Sequence, residues 1–159
     1  MTSRFQRITA FLWFDSQAEE AAKFYVSIFD NSQVGNILRY DKATAQASGQ
    51  PQGSVLTIEF SLDGHNLVAL NGGPRFKFNE AVSLVVNCAS QAEVDRYWSR
   101  LSDGGDPKAQ QCGWLKDKYG LSWQVVPTEL PQLLQHPKAT QALMQMKKID
   151  LDVLRKAAA

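Results

Sequence analysis

The chain repeats one pattern of residues at an offset of 74 positions. The four residues Ser16–Glu19 recur as Ser90–Glu93, and in both copies an apolar, strand-like run precedes them. Aromatic residues follow at helical spacing, with Phe24 in the first copy and Trp98 in the second. Repeats of roughly 20–50 residues are typical of solenoids, so a single duplication at this longer offset predicts two copies of one module in one domain.

Both copies predict a strand, a helix and then further strands, so the expected fold class is α+β with two βαβββ modules. In the first copy, Ser16 and Glu19 have capping-box spacing at the start of an apolar helix face. A polar loop at 41–53 then separates two predicted strands, and Asp63-Gly64 is a hairpin signal between the last two. In the second copy, Ser90 repeats the predicted cap.

A third segment, with apolar residues at near-helical steps, follows the two modules. It predicts either one helix or two short helices broken near Asp150, with an apolar stripe that packs on its own domain or on a partner subunit. We therefore expect a single domain over residues 1–159, with module one at about 5–72, module two at about 80–128 and a helical tail at about 131–157.

Composition and charge argue against several classes of function. The formal net charge is +1 and neither sign is clustered, so no surface for nucleic acid or acidic membranes is expected. Only two cysteines occur, too few for a disulfide framework, and two free thiols fit a reducing cytosol. The stretch Met1–Phe5 has no signal-peptide core, and no window is apolar enough for a membrane helix. These features predict a cytoplasmic protein.

Three parts of the chain carry a resemblance to a known family. They are residues 8–14 with 20–25, the stretch Cys112–Pro127, and Met146–Asp150 near the end. Together with the duplicated module, they make the chain similar to the PhnB-like group of the vicinal oxygen chelate superfamily, often described as a 3-demethylubiquinone-9 3-methyltransferase domain. The resemblance spans about 5–155, and its most specific part is Cys112–Pro127.

The resemblance implies a glyoxalase/bleomycin-resistance-like domain whose two curved sheets form a cleft, commonly in a homodimer. In metal-dependent relatives, ligands from the first and fourth strands of each module converge on a divalent cation. The matching positions here are Ala10, Val68, Leu84 and Gln124 or, after a slip of one residue, Thr9, Ser83 and Ala69. Neither register supplies the imidazole, thiolate or carboxylate donors that tight metal binding usually needs, so we expect no metal.

Other chemistry has little support in the residues. Methyl transfer would use S-adenosylmethionine, but no Gly-x-Gly-x-x-Gly turn occurs and Asn71–Pro74 leads into no helical pattern, so we expect no cofactor. Cys112 lies near Lys116 and Lys118, which favour a thiolate, yet no histidine is close in sequence to act as a base. We therefore interpret Cys112 as a structural or pocket-lining thiol, and Cys88 as a core residue.

Aromatic residues on the predicted strands indicate a binding role. Strand side chains alternate between faces, so about half of these residues are expected in the cleft. An apolar pocket with a few polar anchors is typical of a small-molecule site. The candidate cleft residues are Trp13, Asn71, Cys112, Trp114, Lys116, Trp123 and Gln124. His65 and His136 are expected at the surface, and Glu59 lies in a predicted strand from which it could point inward.

The leading hypothesis is a metal-free protein that binds a small, partly aromatic molecule between its sheets, as a homodimer without nucleic-acid or membrane partners. The alternative is an enzyme, either a methyltransferase or a relative of metal-dependent lyases and dioxygenases. A third hypothesis is a structural or regulatory dimer whose cleft is vestigial. No catalytic residue is assigned, because one fold hosts many reactions.

Overall fold

The computed structural model describes residues 5–159, so the expectation for the leading residues 1–4 lies outside the described part of the chain. The chain divides into two compact units, one ending at Lys77 and the other beginning at Phe78. The division falls in the turn-rich connector between the two predicted modules, and the helical tail belongs to the second unit. That the whole chain is a single domain stays a prediction.

The first unit contains a four-stranded sheet and two helices. Its elements are β1 (Ala10–Phe14), α1 (Ala18–Ile28), β2 (Gln33–Arg39), α2 (Lys42–Ser48), β3 (Val55–Leu62) and β4 (His65–Asn71). The strand order is β1-β4-β3-β2, with β1 parallel to β4 and the other pairs antiparallel. Between β3 and β4, Asp63 and Gly64 have positive φ angles of 47° and 80°, as a type I′ hairpin turn requires.

The core of the first unit lies between the sheet and α1. Apolar side chains at alternate strand positions, among them Leu12, Ile58 and Leu67, are buried on the helix side. The helix contributes buried residues at three- and four-residue steps: Ala18, Ala21, Ala22, Tyr25 and Ile28. Tyr25 stacks on Phe60 of β3, with ring centroids 6.2 Å apart. The other face of the sheet carries the exposed and half-buried side chains that alternate with these core positions.

The second unit contains a three-stranded sheet, one long helix and the tail. Its elements are β5 (Ser83–Cys88), α3 (Gln91–Ser102), β6 (Trp114–Lys116), β7 (Ser122–Pro127), α4 (Leu130–Leu133), α5 (Pro137–Leu143) and α6 (Leu151–Ala158). The strand order is β5-β7-β6, with β5 parallel to β7. Between α3 and β6, a short 3-10 helix (Pro107–Ala109) stands where a fourth strand would complete the module. The α+β class, the two modules and the helical tail are confirmed, with three strands in the second module.

The two module helices begin in different ways. Ser90 caps α3 as predicted, because its Oγ accepts a hydrogen bond from the backbone N–H of Glu93 at 3.2 Å. The predicted cap at Ser16 is wrong, since α1 follows Gln17 without a side-chain cap from that residue. The Oδ1 of Asn71 instead accepts from the backbone N–H of Ala18 at 2.8 Å.

The predicted polar loop at 41–53 contains a helix, α2, that the sequence pattern did not reveal. Its first turn is held by a capping box between Asp41 and Thr44, and Gly49 ends it with a left-handed φ of 75°. None of the residues of α2 is buried, so the helix has no apolar periodicity from which to predict it.

The tail packs on its own unit. It breaks at Asp150, whose side chain caps α6 by accepting from the backbone N–H of Val153 at 3.2 Å. Ala139, Ile149 and Leu154 form a fully buried apolar cluster. Of the two predicted alternatives for the apolar stripe, the structure favours packing within the chain. None of the helices within residues 5–159 has the length and apolar character needed to span a membrane.

Candidate functional site

The face of the first sheet that points away from α1 carries the most extensive candidate surface. We call it the first open face, and its residues are Phe11, Trp13, Leu38, Thr57, Glu59, Ser61, Asn66, Val68 and Leu70. All of these side chains are exposed or half-buried, in alternation with the buried core positions. Cross-strand pairing aligns them in rows, with Phe11 and Glu59 on either side of Val68, and Trp13 and Thr57 on either side of Leu70.

A cavity of about 460 Å³ lies at one end of the first open face. Its polar lining consists of Gln6, Thr9, Gln33, Glu59, Ser61 and Asn66. Gln6 is fixed there because its amide exchanges hydrogen bonds with the backbone of Asn66, at 2.9 Å to the carbonyl and 3.0 Å from the N–H. The cavity therefore offers amide and hydroxyl groups around one carboxylate, with Phe5 and Val68 as apolar wall.

The opposite end of the first open face is aromatic. The indole N–H of Trp13 donates to the carbonyl of Gly73 at 2.9 Å, which fixes the ring. Phe76 meets Trp13 edge to face, with centroids 4.9 Å apart. A Cβ on Gly72 would lie only 2.2 Å from the indole, so the ring lies directly on this glycine. Phe11, 59% exposed, extends the aromatic surface toward the cavity.

The second sheet has a smaller face of the same kind, which we call the second open face. Its residues are Ser83, Val85, Asn87, Trp114, Lys116, Ser122, Gln124 and Val126. The amide of Gln124 donates to the Ser83 hydroxyl at 2.9 Å. Lys116 pairs with Glu80, and this hydrogen bond lowers the pKa of the Glu80 carboxyl. The Ser122 hydroxyl is buried without a hydrogen-bond partner among the residues that the structure describes.

Residues 6–126 match the sequence profile of the family described as 3-demethylubiquinone-9 3-methyltransferase. A PhnB protein from Bacillus cereus is 35% identical to the chain, over 77% of this chain and all of the relative, with a TM-score of 0.65. The chain belongs to the PhnB-like family of the vicinal oxygen chelate superfamily. The matched residues end at 126, so the Met146–Asp150 part of the predicted resemblance lies beyond them.

Other solved structures share the fold of this PhnB-like protein at lower identity. Protein PA1353 from Pseudomonas aeruginosa is 20% identical over 77% of this chain and 98% of its own, with a TM-score of 0.59. The fosfomycin resistance protein FosX from Mesorhizobium loti is 13% identical over 84% of this chain and 99% of its own, with a TM-score of 0.55. No curated protein matches the chain in sequence.

The positions that carry metal ligands in metal-dependent relatives do not fit a metal in this PhnB-like protein. Strand alternation turns Ala10 and Leu84 toward the helix side, so the slipped register, with Thr9 and Ser83, is the one that reaches the open faces. The other two positions, Val68 and Gln124, lie on the first and second open faces. Two hydroxyls, one amide and one valine are a poor donor set for a divalent cation. Within residues 5–159, no group of three or more His, Cys, Asp or Glu side chains is placed to hold a metal ion.

The structure divides the predicted cleft residues of this PhnB-like protein between four places. Trp13 lies on the first open face, and Trp114, Lys116 and Gln124 lie on the second. Cys112 lines a cavity of about 380 Å³ beside Trp114 and Lys116. Two of the predicted residues, Asn71 and Trp123, are on the helix side of their sheets instead.

Asn71 and Trp123 are structural for the same reason, since strand alternation turns them under a helix. Asn71 is 7% exposed, and its amide joins Ala18 to Val55 by hydrogen bonds of 2.8 and 3.1 Å. Trp123 is 2% exposed, and its indole N–H donates to the carboxylate of the buried Asp117 at 2.9 Å. Neither side chain is available to a ligand on an open face.

The two segments that carry the resemblance in the second unit contact each other. The backbone N–H groups of Cys112 and Gly113 donate to the carbonyls of Met146 and Lys147, each at 2.8 Å. Cys112 adopts a positive φ of 52°, and the Gln111 amide contacts its sulfur at 3.4 Å. Cys112 therefore helps to hold the tail in place. Both histidines are exposed, as predicted.

Sequence reasoning overlooked most of the polar cavity on the first open face. Glu59 was recognised as a residue that could point inward, but Gln33, Ser61 and Asn66 were not. The signal was present in β3, where Thr57, Glu59 and Ser61 alternate strictly with buried apolar residues. The contribution of Gln6 has no such signal, since it depends on a contact with residue 66.

Proposed function

We propose that this PhnB-like protein binds a small, partly aromatic molecule on the first open face, without a bound metal. The observation that carries the proposal is that one face of the sheet has a polar cavity at one end and an aromatic surface at the other. A cavity with one carboxylate, hydroxyls and amides lies at one end, and Phe11 and Trp13 lie toward the other. Apolar walls with a few polar anchors are the usual character of small-molecule sites.

The composition of the face supports binding rather than core packing. Phe11 and Leu38 are 59% and 61% exposed, so their apolar surface is not used to stabilise this unit. Contiguous exposed apolar surface bordered by polar groups commonly marks a binding site. The ring of Trp13 is held by Gly73 and Phe76, so little rotamer entropy is lost when a ligand stacks on it.

The metal-free part of the proposal is supported by the donor set. The positions equivalent to metal ligands offer hydroxyl, amide and valine side chains, and Glu59 is a single carboxylate. We therefore assign ligand recognition to hydrogen bonds and aromatic contact. The family description names methyl transfer, but Gly72 and Gly73 pack against Trp13 and precede no helix. An enzyme, whether methyltransferase or metal-dependent, is the alternative.

The proposal is tested by screening aromatic fragments against isotope-labelled, untagged protein by NMR. Fragments that bind should shift amide resonances of β1, β3 and β4. Phe11→Ala should weaken binding about tenfold, because it removes an exposed aromatic contact without touching the core. Met144→Ala is the control, since Met144 is a large apolar residue of similar exposure, 60%, that belongs to the second unit.

Metal analysis and native mass spectrometry of the same untagged protein distinguish the alternatives. Stoichiometric zinc, manganese or iron would overturn the metal-free proposal and favour a metal-dependent enzyme. Binding of S-adenosylmethionine in calorimetry would favour methyl transfer. A fragment screen with no shifts on the first open face would count against the binding proposal itself.

We also propose that the protein forms a homodimer, as the family resemblance implies. Ile8 and Val82 stand at equivalent positions of the two copies and are 84% and 72% exposed, and we propose that the interface covers them. Native mass spectrometry gives the subunit number directly. A monomer at micromolar concentration would contradict the dimer without affecting ligand binding.

A further inference from the structure

The Glu59 carboxylate has no cationic partner among the described residues of the first unit. Its side chain is exposed on the first open face and forms no hydrogen bond or ion pair with any described residue. Among the described residues 5–159, no lysine, arginine or histidine lines the cavity beside it. By contrast Glu19, on α1 of the same unit, pairs with Lys23 at 2.8 Å. Of the described residues that line this cavity, Glu59 is thus the charged one, and the polar groups around it are neutral amides and hydroxyls.

The backbone of the neighbouring strand keeps space open at Glu59. The pairing of β2 with β3 shifts register between Val34 and Ile37, which leaves two residues of β2 opposite Glu59. Bulges of this kind redirect side chains and occur often beside binding sites. One of the two residues is Gly35, where an added Cβ would lie 3.3 Å from the Cβ of Glu59. A side chain at position 35 would therefore crowd the Cβ and the backbone of Glu59.

The polar surface continues past Glu59 to the hairpin turn. A second cavity of about 390 Å³ shares Gln33, Ser61 and Asn66 with the first, and adds Asn31 and Ser32. Amide and hydroxyl groups can donate or accept hydrogen bonds, whereas an ionised carboxylate only accepts. A ligand group beside Glu59 must therefore be a donor, and a cationic donor makes the stronger, charge-assisted bond.

We propose that the ligand of the first open face carries a protonated amine that pairs with Glu59, while its aromatic part lies on Phe11. The two side chains flank Val68 in one cross-strand row, so one short molecule reaches both. This inference rests on the proposed function and adds the charge of the ligand. An aromatic amine is the chemical class that fits a carboxylate and an exposed ring on the same row.

Three probes of similar size and shape test the inference: phenethylamine, phenethyl alcohol and hydrocinnamate, which are cationic, neutral and anionic at neutral pH. Affinities are measured by NMR titration of the full chain. Phenethylamine should bind at least about fivefold more tightly than phenethyl alcohol, because a partly exposed charge pair adds a modest attraction. Hydrocinnamate should bind most weakly, and raising the salt concentration should reduce only the preference for the amine.

Two variants of equal charge locate the effect. Glu59→Gln should lower the affinity for phenethylamine about fivefold and leave that for phenethyl alcohol unchanged, since the side chain keeps its shape. Glu19→Gln removes the same charge from α1 and should change neither affinity. Equal binding of all three probes on the first open face would overturn this inference and leave the proposed function standing. Competition by manganese or zinc at Glu59 would also overturn it, and absence of any binding would overturn both.

Discussion

The side chain of Asn71, the last residue of β4, accepts a hydrogen bond from the backbone N–H of Ala18, the first residue of α1, at 2.8 Å. The same amide donates to the carbonyl of Val55 at 3.1 Å. Asn71 therefore satisfies one of the free N–H groups at the start of α1 and ties the helix to β3 and β4. Asn71 lies 53 residues from Ala18 in the sequence, so this capping role cannot be predicted from a local pattern.

We predict that Asn71→Ala lowers the free energy of unfolding by about 2–4 kcal/mol. The variant removes a helix cap, worth about 1 kcal/mol, and leaves the buried carbonyl of Val55 without its donor, which costs about 1–3 kcal/mol. Urea denaturation followed by circular dichroism measures the change. Ser16→Ala is the control and should cost less than about 0.5 kcal/mol, because Ser16 does not cap α1. Equal losses of unfolding free energy for the two variants would indicate that Ser16 does cap α1, as the sequence predicts.

The comparison of the two helix caps indicates what the sequence can predict. The repeat predicts both modules because the apolar periodicities of strand and helix are local properties. In the second copy the cap is also local, since Ser90 bonds a residue three positions away. In the first copy the same four residues do not form the predicted cap, because Asn71 of β4 supplies the acceptor in place of Ser16. A pattern of four residues cannot predict a hydrogen-bond acceptor that lies far away in the sequence and reaches the helix only when the chain folds.

For the candidate site, too, the sequence predicts the strands better than it predicts which face of a strand each residue occupies. Of four residues predicted for the cleft, Trp13 and Gln124 lie on open faces, whereas Asn71 and Trp123 lie on the helix side of their sheets. Adjacent residues of a strand point to opposite faces, so an error of one position exchanges the open face for the core. Residue type does not determine which face of the sheet a side chain occupies, since Trp13 and Trp123 are both tryptophans. The buried acceptor Asp117, which fixes the face of Trp123, lies on a turn whose geometry has no local signal.

Asp117 is predicted to be the most sensitive polar residue of the second unit. Its carboxylate accepts from the indole N–H of Trp123 and from the backbone N–H groups of Tyr119 and Leu121, at 2.8–3.1 Å. Asp117→Ala should therefore lower the free energy of unfolding by about 3 kcal/mol or more, because three donors lose a buried acceptor.

Asp117→Asn is the companion variant. It keeps one acceptor oxygen, so it should cost less than Asp117→Ala. Trp123→Phe removes the indole donor together with part of the buried ring, and in this background the two Asp117 variants should be more alike. Thermal unfolding gives the ranking, and the difference in tryptophan fluorescence between wild type and Trp123→Phe reports on the Trp123 environment. A stability within about 0.5 kcal/mol of wild type for Asp117→Ala would contradict the network.

Gly113 is predicted to be needed for docking of the tail. It has a φ of +86°, and an added Cβ would lie 2.8 Å from Cδ1 of the buried Ile149. Gly113→Ala should cost about 2–3 kcal/mol, from backbone strain and from overpacking together. Gly120→Ala is a matched control, since its φ is +87° but no atom lies within 4 Å of the added Cβ. Its free energy of unfolding should fall only by the cost of the backbone strain, about 1 kcal/mol.

Replacing Ile149 by Val separates the two contributions at Gly113. This substitution removes the Cδ1 atom that the alanine would meet. The cost of Gly113→Ala should fall by about 1 kcal/mol in the Ile149→Val background, while the cost of Gly120→Ala should be the same in both. Strictly additive effects of Gly113→Ala and Ile149→Val would show that the tail does not dock on this glycine.

The two cysteines should differ in reactivity. Cys88 is fully buried, and burial, with a smaller effect of the Glu93 carboxylate, raises the pKa of its thiol to about 11. Cys112 is half-buried and lines a cavity. A disulfide reagent at about pH 8 should therefore modify one thiol per folded chain and both in denaturant. Cys112→Ser should abolish the native-state reaction, and Cys88→Ala should leave it unchanged. Rapid modification of both thiols in the folded chain would contradict the burial of Cys88.

The raised pKa of Cys88 also predicts a change of stability at alkaline pH. In the unfolded chain the thiol ionises near pH 9, whereas in the folded chain it stays protonated up to about pH 11. Ionisation between these values favours the unfolded chain, so the contribution of this group is present below about pH 9 and is lost as the pH rises to about 11. The loss should approach about 3 kcal/mol above pH 11, since two pKa units separate the states and each corresponds to about 1.4 kcal/mol. Cys88→Ala has no thiol to ionise, so its free energy of unfolding should decline less steeply than that of wild type over this range. Parallel declines in urea titrations of the two proteins would show that the Cys88 thiol is not protected in the folded state.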